Sequence, residues 1–329
     1  MADTDEIDPA AICARGLIST ADVAAIRRGY YRDGLISEPE SDAFFAIEQN
    51  CKAPAEWGAL FIEAITDYLV HQVKPEGYIT AENAGWLIER ISHDGKIATR
   101  NEFELLVKVL EEARWSPTSL SALALAQVRD AVTEGAGPLR QGAKPANGTV
   151  TAADVAVLRR ILYASGGDGN IAVTRAEVEV LMDINDAADE TLSDASWIDL
   201  YTKAIANHLM AGSGFAPPPR EEALKREEWL EAEPSLGGYF ADMVRGGLQG
   251  VWDAYHIPDA ETVELGRLEE YKRSILVSEE ITAPESAWLA DRIGRDGRVS
   301  DAEKALLEFI GTNCPKIDPS LKSLIAKVA

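Results

Sequence analysis

Apolar residues recur along this chain in steps of three and four. From Trp57, the positions Leu60, Phe61, Ala64, Ile65, Tyr68 and Leu69 form one stripe, with Glu63 and Asp67 off it on a solvated face. Trp197, Leu200, Tyr201, Ala204, Ile205 and Leu209 repeat the stripe, with His208 where Tyr68 stands. That period is the helical one. Nothing alternates at period two long enough to build a substantial sheet, so the expected fold is all-α.

The helical blocks repeat in order. "STADVAAIRRGYY" matches "TAADVAVLRRILY", "WGALFIEAITDYL" matches "WIDLYTKAIANHL", and "ITAENAGWLIERISHDG" matches "ITAPESAWLADRIGRDG". This order predicts a tandem duplication and two homologous helical-bundle domains, residues 1–136 and 149–329. Between them, 137–148 is rich in Gly, Pro and Ala with little to bury, and reads as a linker. The offset between matched blocks jumps between the Trp57/Trp197 and Trp86/Trp288 pairs, which places an insertion at 211–276.

The motif that opens the helices is the most repeated feature. Four copies run acid, glycine, apolar residue, hydroxyl and glutamate: Asp33-Gly34 to Glu40, Asp94-Gly95 to Glu102, Asp168-Gly169 to Glu177, and Asp296-Gly297 to Glu303. Looser copies at Gly16, Gly77, Gly148 and Glu280 bring the sites to eight, in four pairs. Each pair fits a short extended stretch, a helix, a tight turn, a second extended stretch and a second helix. Glycine permits the positive φ that turns the chain. The Ile or Val after it is expected to pair its backbone with its partner site. Ser37, Thr80, Thr99, Thr174, Thr282 and Ser300 stand where the next helix needs a cap. Glu40, Glu102, Glu177, Glu285 and Glu303 follow three residues later, as in a capping box.

A calcium loop of the EF-hand type also ends in glutamate, but it needs carboxylates at its first and third positions and glycine at its sixth. With Gly34 sixth, Gly29 and Tyr31 fall there; Gly297 brings Arg292 and Gly294, Gly95 brings Arg90 and Ser92, and Gly169 brings Ala164 and Gly166. A standard EF-hand is excluded. Two readings stand: capping alone, which is favoured, and capping with weak calcium or other divalent-cation binding at the eight motif acids, best placed at Asp33 with Glu40 and Asp296 with Glu303.

The repeated "DGxI(S)xxE" pattern, carried by Asp33, Gly34, Ile36 and Glu40 and their counterparts, resembles the tellurite-resistance TerB-like family and the N-terminal helical domain of DjlA-type co-chaperones. The resemblance covers residues 15–115 and, less cleanly, 148–318. It implies a helical bundle, an acidic metal-binding surface and a role in stress-linked protein assemblies at the membrane, without catalysis. "IATRNE" and "IAVTRAE" lengthen the pattern before the glutamate, and the insertion is foreign to a minimal domain of that family.

The net charge of -23, from 55 acidic and 32 basic side chains, repels phosphate backbones, excludes nucleic acid as a partner and suits cations or basic protein surfaces. Cys13, Cys51 and Cys314 form no CxxC pair, which excludes a zinc ribbon and fits a reduced compartment. The acidic start and the lack of an apolar run of roughly 20 residues predict a cytoplasmic protein, with peripheral membrane association left open. His71, His93, His208 and His256 have no zinc spacing; His208 reads as a half-buried core residue. Arg27-Arg28 and Arg159-Arg160 read as helix-closing cations. Within the insertion, Trp229, Tyr239, Phe240, Trp252 and Tyr255 read as a hairpin folded onto its own half or as a docking surface. The expectation is a non-enzymatic binding or adaptor protein with protein partners. The alternative is a structural assembly component that uses 211–276 for subunit contacts, and an enzyme comes third.

Overall fold

A helix leaves its first backbone N–H groups without partners, and this chain meets that demand the same way at successive helices. At the start of α3 (Glu38–Asn50) the Ser37 hydroxyl accepts from Glu40 N–H while the Glu40 side chain accepts from Ser37 N–H. Thr99 with Glu102 does the same for α6 (Arg100–Glu112), and Thr174 with Glu177 for α9 (Arg175–Ala187). Ser300 with Glu303 does so for the helix at Asp301–Asn313. Aspartate serves at the two shorter versions: Ser19 with Asp22 opens α2 (Thr20–Asp33), and Thr151 with Asp154 opens α8 (Ala152–Ala164). Thr80 caps α5 (Ala81–Ile91) through Asn83 N–H alone. Each cap contributes about 1 kcal/mol.

The computed structural model describes residues 9–33, 35–142, 145–164, 173–212, 280–281, 283–314 and 316–328. Among them the protein is all-α apart from four two-residue strands. The remaining helices are α1 (Pro9–Arg15), α4 (Ala55–Thr66, running on as a π-helix at Asp67–Gln72), α7 (Thr118–Thr133), a 3-10 turn (Pro138–Arg140) and α10 (Ser196–Gly212). The chain then closes with α11 (Ala283–Arg292), α12 (Asp301–Asn313) and α13 (Pro319–Val328).

One local order of parts appears four times: a leading segment, two helices, a return segment lying beside the leading one, and a third helix. Leu17 bridges Lys52 in parallel and Tyr78 bridges Trp115 in parallel. Asp189 N–H reaches Gly148 O at 2.8 Å, and Glu280–Ile281 pairs in parallel with Lys316–Ile317. Gly148 is needed for this, because its φ is +82° and an added Cβ would stand 2.9 Å from the Ala187 carbonyl.

This corrects the expected backbone pairing. Ile36 and Ile97 do not pair with the leading segments of their own units. Instead their N–H groups, and that of Val173 just before the Thr174 cap, are taken by a side-chain amide from the third helix or its continuation; Ile171 lies outside the described residues. Ile36 N–H donates to Gln72 Oε1 (2.8 Å), Ile97 N–H to Gln127 Oε1 (3.0 Å) and Val173 N–H to Asn207 Oδ1 (2.9 Å). The turn leaves that N–H facing inward, where an unpaired donor costs roughly 1–3 kcal/mol. In the second unit the turn closes a hairpin, with Asp94 (φ 50°) and Gly95 (φ 76°) as its two left-handed residues between Ser92–His93 and Lys96–Ile97.

The two halves pack on one another. Helix α7 lies against α8 and α9, and α6 against α8, so one cluster of buried apolar side chains runs from Ile12 to Leu321. Residues 137–148 are not the apolar-poor spacer expected, because Pro138 and Arg140 are buried. Arg140 makes a bidentate pair with Asp154 at 2.8 and 2.9 Å, and it donates to the Ala131 and Thr149 carbonyls. The paired arginines also differ from expectation. They lie mid-helix and cross to neighbours: Arg27 to Glu63, Arg159 to Asp199, and Arg160 to Glu104 and Glu111.

Arg140→Met leaves Asp154 charged and buried with half its partners gone. The expected loss is about 3–5 kcal/mol in a urea melt. Gln127→Met, which orphans Ile97 N–H and the Gly95 carbonyl, is expected to cost about 1–3 kcal/mol by the same measurement.

Candidate functional site

The motif acids fall into two kinds once placed in the fold. The glutamates are spent on caps. Glu40 Oε2 accepts from Ser37 N–H at 2.8 Å and from its hydroxyl at 2.6 Å, and Glu177 Oε2 accepts from Thr174 N–H and hydroxyl at 2.8 and 3.0 Å. Glu102 and Glu303 are buried as well as capping. Glu102 takes Gln49 Nε2 on its other oxygen, and Glu303 takes Gly294 N–H on its own. Asp94 and Asp296 stay outside. Asp33 ends α2, Asp94 sits exposed in its hairpin turn, and Asp296 is exposed and accepts from Arg298 N–H. Asp168 lies outside the described residues, as do Trp229, Tyr239, Phe240, Trp252, Tyr255 and His256.

In the two copies whose acids are both described, Asp94 with Glu102 and Asp296 with Glu303, the aspartate is exposed and the glutamate is buried at its cap. Among the described residues no group of three or more His, Cys, Asp or Glu side chains converges as a metal ion requires. The cap itself occupies these carboxylates: in each box one glutamate oxygen already accepts from the cap residue's N–H, and the other Glu303 oxygen accepts from Gly294 N–H.

Acid density is nonetheless high between α9 and α12. Burial first, and then the charges of Glu303, Asp296 and Asp183, push Asp186 above the usual carboxylate range, while Arg292 opposes them. Arg292 is itself buried, 2.8 Å from Asp183 and 3.2 Å from Glu179. Burial also pushes Glu102 up, against the hydrogen bonds from Gln49 and Thr99.

A second layer of polar links, invisible as a motif, ties each pair of units. Trp57 Nε1 and Asn101 Nδ2 both donate to the buried Glu48, at 2.8 and 3.1 Å. Trp197 Nε1 donates to Asn185 Oδ1, and Asn185 Nδ2 to the Ser300 hydroxyl. Trp86 reaches Glu38 and Trp288 reaches Glu179, one helical turn further along its partner helix. His208 matches its expected half-buried place: its Nδ1 donates to the Val173 carbonyl at 2.8 Å and its ring meets Trp288 edge-on at 5.8 Å. His71 lies 3.3 Å from Glu112, and His93 is exposed. These are structural roles.

An open groove of about 510 Å³ lies on the second unit's paired segments. Pro75, Tyr78, Arg114 and Trp115 line it, and Trp115 is 52% exposed. Leu17 and Leu192, also exposed, sit on the corresponding segments of the first and third units. Comparison with protein-family models, curated proteins and solved structures gives no match to this chain.

The shift at Glu102 sets a pH dependence. Its folded-state value is raised, so the folded chain holds the proton to higher pH than the unfolded chain does. Its contribution therefore favours folding as pH falls through the raised value and levels off below the ordinary one. Glu102→Gln keeps a capping partner and removes the ionised form. The variant's stability relative to wild type, from urea midpoints between pH 7 and pH 4, is expected to be highest at pH 7 and to shrink on acidification.

Proposed function

We propose that this chain is a non-catalytic adaptor that binds a basic protein partner through the Trp115 groove. The observation that carries the reading is an indole half open to solvent, held beside Pro75 and Tyr78 on a backbone that the Tyr78–Trp115 bridge fixes. A rigid exposed aromatic with a neighbouring guanidinium is the composition of an interface centre, where Trp, Tyr and Arg dominate binding energy. The charge of -23 supplies long-range attraction for a cationic surface. The motif glutamates Glu40, Glu102, Glu177 and Glu303 serve as helix caps.

The TerB-like resemblance supports the same class of role, since it rests on the acid-glycine turns and implies assembly rather than chemistry. A cytoplasmic place at stress-linked assemblies belongs to this proposal. No described helix is long and apolar enough to cross a membrane. Self-assembly through 211–276 is a second proposal and, from 213 onward, concerns residues outside those described.

Tagged wild type and Trp115→Glu, matched for melting temperature, test the reading in extract at low and high salt. A partner retained by wild type, weakened by salt and lost with Trp115→Glu is the expected result. Equal recovery with both proteins overturns the groove as the docking site.

A further inference from the structure

Two of the three cysteines are brought together by the fold, although 37 residues separate them in the chain. Cys13 belongs to α1 and Cys51 follows α3, and these two helices pack on each other. The Cys51 sulfur lies 3.8 Å from the carbonyl oxygen of Ile12, the residue next to Cys13, and the Cys13 side chain is close enough to push the Cys51 thiol up. The surrounding backbone is braced. Gly16 N–H donates to Cys13 O, Lys52 N–H to Gly16 O and Ile18 N–H to Lys52 O, each at 3.0 Å. Both thiols are half-buried, whereas Cys314 is buried elsewhere.

We propose that Cys13 and Cys51 form a peroxide-responsive dithiol site whose disulfide clamps α1 to the end of α3. Hydrogen peroxide oxidises the Cys13 thiol: an S–O bond forms, the O–O bond breaks and one water leaves. Cys51 sulfur then attacks the sulfenic sulfur, the S–S bond forms, the S–O bond breaks and a second water carries off the remaining proton. Two thiols are oxidised and one peroxide is reduced to two waters, so the step balances.

The division of labour follows from surroundings. Burial, and then the neighbouring Cys13, hold the Cys51 thiol above its ordinary range, with Arg15 as the opposing charge. A thiol kept protonated is a poor first target for peroxide, and Cys51 attacks the sulfenic sulfur as its minor thiolate form. The clamp acts on a short helix held chiefly by one fully buried side chain, Ile12. A seven-residue helix opens easily, and a cross-link that closes the loop to α3 restricts that opening.

The test uses the full wild-type chain, treated with hydrogen peroxide, alkylated and digested without reductant. A peptide joining Cys13 to Cys51 that dithiothreitol removes is the expected result. Tryptic cleavage after Arg15 is expected to slow about tenfold in the oxidised chain. Cys314→Ser should behave as wild type and Cys13→Ser should show neither change. A Cys51–Cys314 link, a bridge between chains, or both thiols alkylating fully after peroxide would each overturn the site. Wild-type mapping needs no variant, so a poorly folded Cys13→Ser leaves the result readable.

Discussion

The reciprocal cap at the helix start is the interaction on which this structure rests. Each three-helix unit bends sharply just before a helix, and a bend of that kind exposes several N–H groups with nothing of their own to bond. A hydroxyl and a carboxylate three residues apart answer two of them at once. Because the answer is local, it can be repeated wherever the chain turns, and the order of parts repeats with it. Glu102 and Glu303 carry the device into the interior, where a carboxylate is tolerated only because every oxygen has a partner.

Capping fixes direction, but packing fixes position, and that falls to apolar stripes and a few buried amides. The third helix of each of the first three units reaches back to its own turn through Gln72, Gln127 or Asn207. Trp57 and Trp197 anchor the start of the first and third of these helices. Arg140 and Asp154 then join the halves. Asp154 serves two masters, since it caps α8 and neutralises Arg140 with the same carboxylate. The pair gives the crossing between halves a defined geometry more than it adds stability.

Helix positions and caps were legible in the chain because both depend on spacings of three or four residues. The all-α class followed from the Trp57 and Trp197 stripes, and the capping boxes from Ser37, Thr99, Thr174 and Ser300. What was not legible depends on distant partners. Arg140 sat in a stretch read as a spacer, and nothing nearby in sequence announces its partner. The amides of Gln127 and Asn207 interrupt otherwise apolar stripes, which was a signal, though one that names no partner. The motif acids looked alike in sequence, and only the fold separates the glutamates that cap from Asp94 and Asp296, left at the surface. The insertion aromatics lie beyond the described residues.

The π-helix at Asp67–Gln72 shows how such a device survives a change in chain length. In the third unit the amide comes from Asn207, which aligns with Asp67 when Trp57 is set on Trp197. In the first unit that place holds an acid, the helix is wound one residue wider, and Gln72 both reaches Ile36 and donates to Asp67. Widened helical turns accommodate a single added residue without displacing the next segment of chain. Removing one residue there would rotate Gln72 away from the turn by about 100°, so the odd stretch of helix is a splice that preserves register.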